Sequence, residues 1–192
     1  MIKAVLFDCF GVLVEDGLGI MSREFQPTQN QWQEMQVYRL QADQGKIDSQ
    51  QVQQEFARIL NVSYEQIANS FGRLHKNYSM FEIVKSIKKQ NLKTGLLSNV
   101  SPGFIERYFS PDEKGLFDTM LLSFELGFTK PDKRFFQEAE LRLGVDSSEC
   151  IFIDDNQQNV AAAEALGMLG HVYGNLNDLG SFLRVNGVGV EL

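Results

Sequence analysis

Residues 3 to 7, KAVLF, form a short unbroken apolar run that stops at Asp8 with Gly11 close behind, the pattern of a buried parallel strand delivering a side chain to a loop. From about residue 20 to 79 the pattern changes to polar, Gln-rich sequence with apolar positions at helical spacing, as at Val52, Phe56, Ile59 and Leu60. The segments QWQEMQVYRLQ, SQQVQQEFARIL and YEQIANSFGRL are expected as helices, with Asp48 and Ser63 as N-caps of the latter two. Alternation of strand and helix then resumes. FEIVKSIKKQ predicts a helix, KTGLLSN a strand, PGFIERYF a helix and TMLLSF a strand. PDKRFFQEAELRLG predicts a helix opened by Pro131 and closed near Gly144, followed by the strand CIFIDD and the helix QQNVAAAEALG. GHVYG and LNDLGSFLRV complete the series as strand and helix.

Strands alternating with helices imply an α/β fold, a Rossmann-like doubly wound parallel sheet covered on both faces. The expected division is a core made of residues 1–14 and 86–192, with residues 15–85 as an α-helical insertion after the first strand. Composition narrows the partners. A formal net charge of -7 argues against nucleic acid or an anionic membrane surface, since either favours a basic face. Cys9 and Cys150 both fall in apolar runs, where a thiol behaves as a small hydrophobe, and this suits a reducing compartment. The N-terminus lacks the uninterrupted apolar core of a signal peptide, and no apolar run approaches bilayer length, so the expected location is cytoplasmic.

In an open α/β sheet, ligands bind beyond the carboxyl ends of the strands. Four polar groups stand at such ends: Asp8; Ser98 with Asn99; Lys130, after the TMLLSF strand; and Asp154 with Asp155. Each alone has an ordinary explanation as a helix cap, a turn residue or a solvated charge. Their joint placement changes the picture. Two carboxylates ending the apolar run IFIDD would repel each other and lose hydration unless a cation compensates, and Lys130 together with a divalent metal would do so.

At these residues the sequence resembles the haloacid dehalogenase superfamily of hydrolases across nearly its whole length. The resemblance rests on FDCFGVL, LLSN, GFTKPDKRFF and FIDDNQQNVAAAEALG, in that order. It implies Asp8 as nucleophile, Ser98 and Asn99 as phosphate-binding groups, and Lys130 as a catalytic and substrate-binding cation. It further implies a Mg²⁺ site built from Asp8, the backbone carbonyl of Phe10, Asp154 and Asp155. The helical insertion is then a cap, and QGKIDSQQVQQEFARIL is similar to caps of sugar-phosphate phosphatases. The implied activity is that of a phosphatase acting through an aspartyl-phosphate on a small phosphorylated metabolite such as a sugar 1-phosphate, in a monomer or homodimer.

One position departs from the pattern. Most phosphatases of this superfamily carry an acid/base aspartate two residues after the nucleophile; here Phe10 stands there and cannot transfer a proton. Three readings follow: a phosphatase for easily expelled leaving groups, a metal-independent 2-haloacid dehalogenase, or a non-catalytic phosphate- and metal-binding member. Glu15 and Asp16 are candidates for a substitute acid, against a role as ordinary loop carboxylates. His75 and His171 lie outside the four segments and are read as structural. Phe25, Trp32 and Tyr38 are read as packing, with a share in a substrate wall as the alternative; Asn156 and Asn159 are read as a helix cap and as support for the acidic pair.

Overall fold

The computed structural model describes residues 1–190. In chain order, β1 (Ala4–Phe7) leads into four helices, α1 (Gly17–Phe25), α2 (Gln29–Asp43), α3 (Ser49–Leu60) and α4 (Tyr64–Gly72). Then come α5 (Tyr78–Lys88), β2 (Lys93–Ser98), α6 (Phe104–Tyr108), α7 (Pro111–Lys114), β3 (Thr119–Leu122), α8 (Ser123–Leu126) and α9 (Lys133–Leu143). The chain closes with β4 (Cys150–Asp154), α10 (Gln157–Glu164), β5 (Leu169–Val172) and α11 (Leu176–Val185).

All pairings in the five-stranded sheet are parallel, in the order β3-β2-β1-β4-β5. The strands are apolar on both faces because both are covered. Val5 and Phe7 look towards α5 and α11, while Ala4 and Leu6 look towards α9 and α10. Phe7 is level with Leu96 and Ile153, so Asp8 leaves β1 beside Asp154, the last residue of β4, and close to Ser98, the last residue of β2, at one edge of the sheet. With β1 paired to both β2 and β4, chain direction around the sheet reverses beside β1, and the crevice opens there.

Helices α1 to α4 form the insertion around their own core of Met21, Met35, Phe56 and Ile67. Thr28, Asp48 and Ser63 cap α2, α3 and α4, each in a reciprocal capping box with a glutamine. The two crossings between insertion and sheet are bonded to each other: Glu15 N donates to the His75 carbonyl at 2.9 Å, and Asn77 N to that of Leu13 at 2.9 Å. Asn77 Nδ2 adds a bond to the Val12 carbonyl at 3.1 Å. Tyr108, on α6, donates its hydroxyl to the Phe71 carbonyl at 2.7 Å and ties the insertion to the core a second time.

Several boundaries differ from expectation. The limit at 85 falls inside α5, which buries Met80, Ile83, Val84 and Ile87 against the sheet and belongs to the core. Ser123 and Phe124 open α8 rather than extend β3, because Ser123 Oγ turns back to accept from Val100 N at 2.9 Å. Helix α9 starts after Asp132, whose carboxylate caps it, two residues later than Pro131 implied. Helices α1, α7 and α8 carry too few periodic positions to be read from pattern. Among the described residues no helix is long and apolar enough to cross a membrane.

The face formed by α9 and β4 is closed by Phe136 and Phe152, both fully buried, in an edge-to-face pair with centroids 5.1 Å apart. Phe136→Ala should lower unfolding stability by about 3–5 kcal/mol in urea titration, with little change in the slope of the transition.

Candidate active site

Asp8 follows the last residue of β1, and its backbone N–H still donates to Ile153 O at 2.8 Å, which fixes where the side chain emerges. The chain then curls: Leu13 N and Val14 N both donate to Cys9 O at 2.8 Å. Gly11 makes the curl possible. Its φ is +81°, and a Cβ there would lie 2.2 Å from Asp155 Oδ2, so the glycine leaves room for that carboxylate.

Lys130 reaches the same point from the loop after α8. Its Nζ donates to Asp8 Oδ1 at 2.6 Å and to Asp154 Oδ2 at 2.7 Å, and its side chain is 1% exposed. The ammonium also lies 5.3 Å from the centroid of the Phe152 ring. Asn99 holds the lysine backbone on both sides: Lys130 N donates to Asn99 Oδ1 at 2.8 Å, and Asn99 Nδ2 donates to Lys130 O at 3.0 Å. The Asn99 side chain therefore positions Lys130, which leaves only its backbone N–H for the phosphate-binding role expected of it. Asp154 accepts further bonds from Asn156 N at 2.8 Å and Asn159 Nδ2 at 3.0 Å, while Asn156 also caps α10.

Charge is unevenly matched here. Loss of hydration pushes the Asp8 carboxyl above its ordinary range, Lys130 opposes this, and the Asp154 charge adds to it. Burial alone would lower the Lys130 pKa, but Asp8 and Asp154 outweigh burial and hold it above the usual value. Asp155 lies at the rim. Its inner side is desolvated and it faces Asp154 and Asp16, which together push it up to about 6.

Oxygens of Asp8, Asp154 and Asp155 lie within 4.8 Å of one another against a single ammonium, so the group carries excess negative charge where hydration is poor. A hard divalent cation with oxygen ligands fits that donor set. Ser98 Oγ, at the end of β2, is buried without a hydrogen-bond partner, as a hydroxyl kept for a bound oxygen would be. The structure thus brings Asp8, Ser98, Asn99, Lys130, Asp154 and Asp155 to one edge of the sheet, with Phe10 in the curl above Asp8.

A cavity of about 120 Å³ opens between insertion and core beside this edge. Phe10, Phe104 and Tyr108 wall it on the core side, and Val52, Phe56 and Phe71 on the other. Ring centroids of Phe10 and Phe104 are 4.7 Å apart, and those of Phe104 and Tyr108 are 4.5 Å apart. Phe25, Trp32 and Tyr38 are not among its lining, so the substrate-wall alternative falls to other aromatics. Phe25 and Tyr38 pack on the insertion's own core instead. Asp43 and Arg39, on α2, also face the cavity and went unremarked in the sequence. His171 sits in β5 against Phe182, and burial lowers its pKa; His75 belongs to the crossing.

A family model described as haloacid dehalogenase-like hydrolase matches residues 2–167. The chain is 26% identical over 179 residues to the sesquiterpene phosphatase astK of Aspergillus oryzae, covering 88% of each protein. It spans only 12% to 44% of four other curated relatives. Among solved structures it is similar to a HAD family enzyme from Bacteroides thetaiotaomicron in complex with magnesium and inorganic phosphate (TM-score 0.68, 24% identity, 93% of this chain and 99% of that one). It is also similar to the L-2-haloacid dehalogenase from Xanthobacter autotrophicus (TM-score 0.68, 23% identity, 97% and 84%).

Replacing the buried cation isolates its contribution. Lys130→Met leaves Asp8 and Asp154 facing each other, and in chelator at pH 8 it should cost about 3–5 kcal/mol of unfolding stability. A carboxyl whose folded pKa is raised loses stability as pH climbs from the ordinary carboxylate range through the raised value. The deficit should therefore shrink on going from pH 8 to pH 5, as followed by denaturant titration at both.

Proposed function

The chain belongs to the haloacid dehalogenase-like hydrolases, and from that membership and the Asp8–Lys130–Asp154 array we propose that it is a magnesium-dependent phosphatase acting on a small phosphorylated molecule. The observation that carries this reading is the excess of carboxylate over ammonium at the strand ends. Lys130 already bonds Asp8 and Asp154, so without a metal Asp155 would face them with no cation of its own.

In this reading the Asp8 oxygen not held by Lys130 attacks phosphorus in line, and the aspartyl-phosphate so formed is hydrolysed by water. Lys130 offsets charge on both Asp8 and the phosphoryl group, and the free Ser98 hydroxyl donates to a phosphoryl oxygen. Asp8, the Phe10 carbonyl, Asp154 and Asp155 would hold Mg²⁺, which when bound supplies further stabilisation of phosphoryl charge. The close fit of Asp155 over Gly11 keeps that carboxylate in place.

The cavity bears on the substrate. Aromatic and aliphatic side chains face much of the cavity, beside polar ones such as Arg39, Asp43, Gln53 and Arg107, and these apolar stretches have no counterpart in a sugar 1-phosphate, the class that the resemblance implied. They suit an organic group with an apolar face. The Aspergillus relative, a sesquiterpene phosphatase, accords with that choice.

A second reading, carbon–halogen hydrolysis, draws support from Phe10, since halide leaves without a proton. Assays separate the two. With Mg²⁺, benzyl phosphate should be cleaved with kcat/KM at least about tenfold above that for glucose 1-phosphate. Chelation or Asp8→Asn should reduce phosphate release to background. Halide release from 2-chloropropionate that is indifferent to chelation would reverse the assignment.

A further inference from the structure

Phe10 leaves the phosphatase reading without a proton donor next to the nucleophile, yet expelling an alkoxide needs one. The substitutes suggested by sequence are otherwise engaged. Glu15 pairs with Arg23 at 3.3 Å and lies in a separate depression with His75 and Lys76. Asp16 faces the cavity, but its two oxygens accept from Leu18 N at 3.0 Å and Gly19 N at 2.9 Å as the N-cap of α1. Those bonds occupy both carboxylate oxygens and fix the side chain at the helix end.

Asp43 is the other carboxylate on the cavity. It is 8% exposed and ends α2, and its one close partner is Arg39 of the same helix, at 3.4 Å. The end of α2 is pressed onto the core: Gly45, with φ +72°, lies so near α8 that a Cβ would meet the Phe124 carbonyl oxygen at 3.0 Å. That loop runs on to Lys130, whose charge acts on Asp43. The cavity it faces is bounded by Phe10 and Asn99, neighbours of the nucleophile and of Ser98.

We propose that Asp43, supplied by the helical insertion, is the general acid and base of this enzyme, in place of the residue that Phe10 displaces. The inference rests on the phosphatase reading. As Asp8 bonds to phosphorus and the bond from phosphorus to the leaving oxygen breaks, the Asp43 carboxyl gives its proton to that oxygen, and the alcohol departs. The Asp43 carboxylate then takes a proton from water as the water oxygen bonds to phosphorus. The bond between phosphorus and Asp8 breaks, inorganic phosphate leaves, and Asp8 and protonated Asp43 are restored.

Burial pushes Asp43 up to about 6 against the opposing charges of Arg39 and Lys130, which places both protonation states within reach near neutral pH. Asp16, Arg107 and Tyr108 are the other ionisable groups on the cavity walls. Because the acid rides on the insertion, proton transfer is available only when that segment is seated on the core and water is excluded.

The test compares benzyl phosphate, whose alkoxide needs a proton, with 4-nitrophenyl phosphate, whose phenolate leaves readily, using the full chain with Mg²⁺. Asp43→Asn should lower kcat/KM on benzyl phosphate by about 10²-fold or more, and by at least about tenfold more than on 4-nitrophenyl phosphate, since kcat/KM reports the step in which the leaving oxygen departs. Equal losses on both esters, or none on benzyl phosphate, overturn the assignment. Asp8→Asn should abolish both activities. If it does not, or if the wild type cleaves neither ester, the phosphatase reading falls and takes this inference with it. Should Asp43→Asn fail to melt cooperatively, substituted phenyl phosphates with the wild type decide the matter. A nearly flat dependence of kcat/KM on leaving-group basicity is expected, and a steep decline overturns it.

Discussion

Two carboxylates share one dry crevice in this molecule only because a single ammonium, that of Lys130, sits between them. Its bonds of 2.6 and 2.7 Å to Asp8 and Asp154 offset a repulsion that low dielectric would otherwise magnify. Much of the neighbouring structure serves to hold that ammonium. Asn99 grips the lysine backbone by both its donor and its acceptor, Phe152 offers a ring face, and Asn159 donates to the far carboxylate. A long flexible side chain is thus left with one geometry, so the charge is in place before any substrate arrives. The balance is deliberately incomplete, since Asp155 adds a third carboxylate at the rim, and that surplus gives the site its appetite for a further cation.

The sheet supplies this arrangement by register. Asp8 and Asp154 follow strand positions that are level across the β1–β4 pair, and Ser98 ends the strand on the other side of β1. Parallel strands send every tip to the same edge, so residues far apart in sequence converge without long loops. The insertion contributes the opposite wall, where aromatic rings exclude water and burial raises the pKa of one carboxylate. In the proposed mechanism, phosphoryl chemistry falls to the sheet edge and leaving-group chemistry to the insertion.

Most of the core site is legible in the chain because each of its charges interrupts an apolar run. Asp8 after KAVLF and the pair after IFI are conspicuous, since carboxylates at the end of a buried strand lose hydration unless a cation compensates. Ser98 and Lys130 are weaker signals singly and become strong only as members of an ordered set. Asp43 lies beyond such reasoning. It closes a helix that is polar nearly all round, and nothing local distinguishes it from the solvated residues of QWQEMQVYRLQAD. Its position depends on how α2 docks against α8, a contact between segments some eighty residues apart. The misplaced limit at 85 has a similar cause: α5 has the same helical period as the insertion, and only its packing partner assigns it to the sheet.

The bonded crossings at Glu15–His75 and Leu13–Asn77 bear on the history of such a chain. Where a segment's two ends are already neighbours, at roughly the 4.8 Å spacing of paired strands, the remainder of the protein does not register how much chain runs between them. Doubling the length of such an excursion costs only about 0.6 kcal/mol of closure entropy. Wholesale exchange of the excursion, or its replacement by a tight turn, leaves the five strands where they are. A lineage built on this plan keeps one hydrolytic engine while trading attachments for new substrates, and under the proposed role of Asp43 the attachment carries a share of the engine with it.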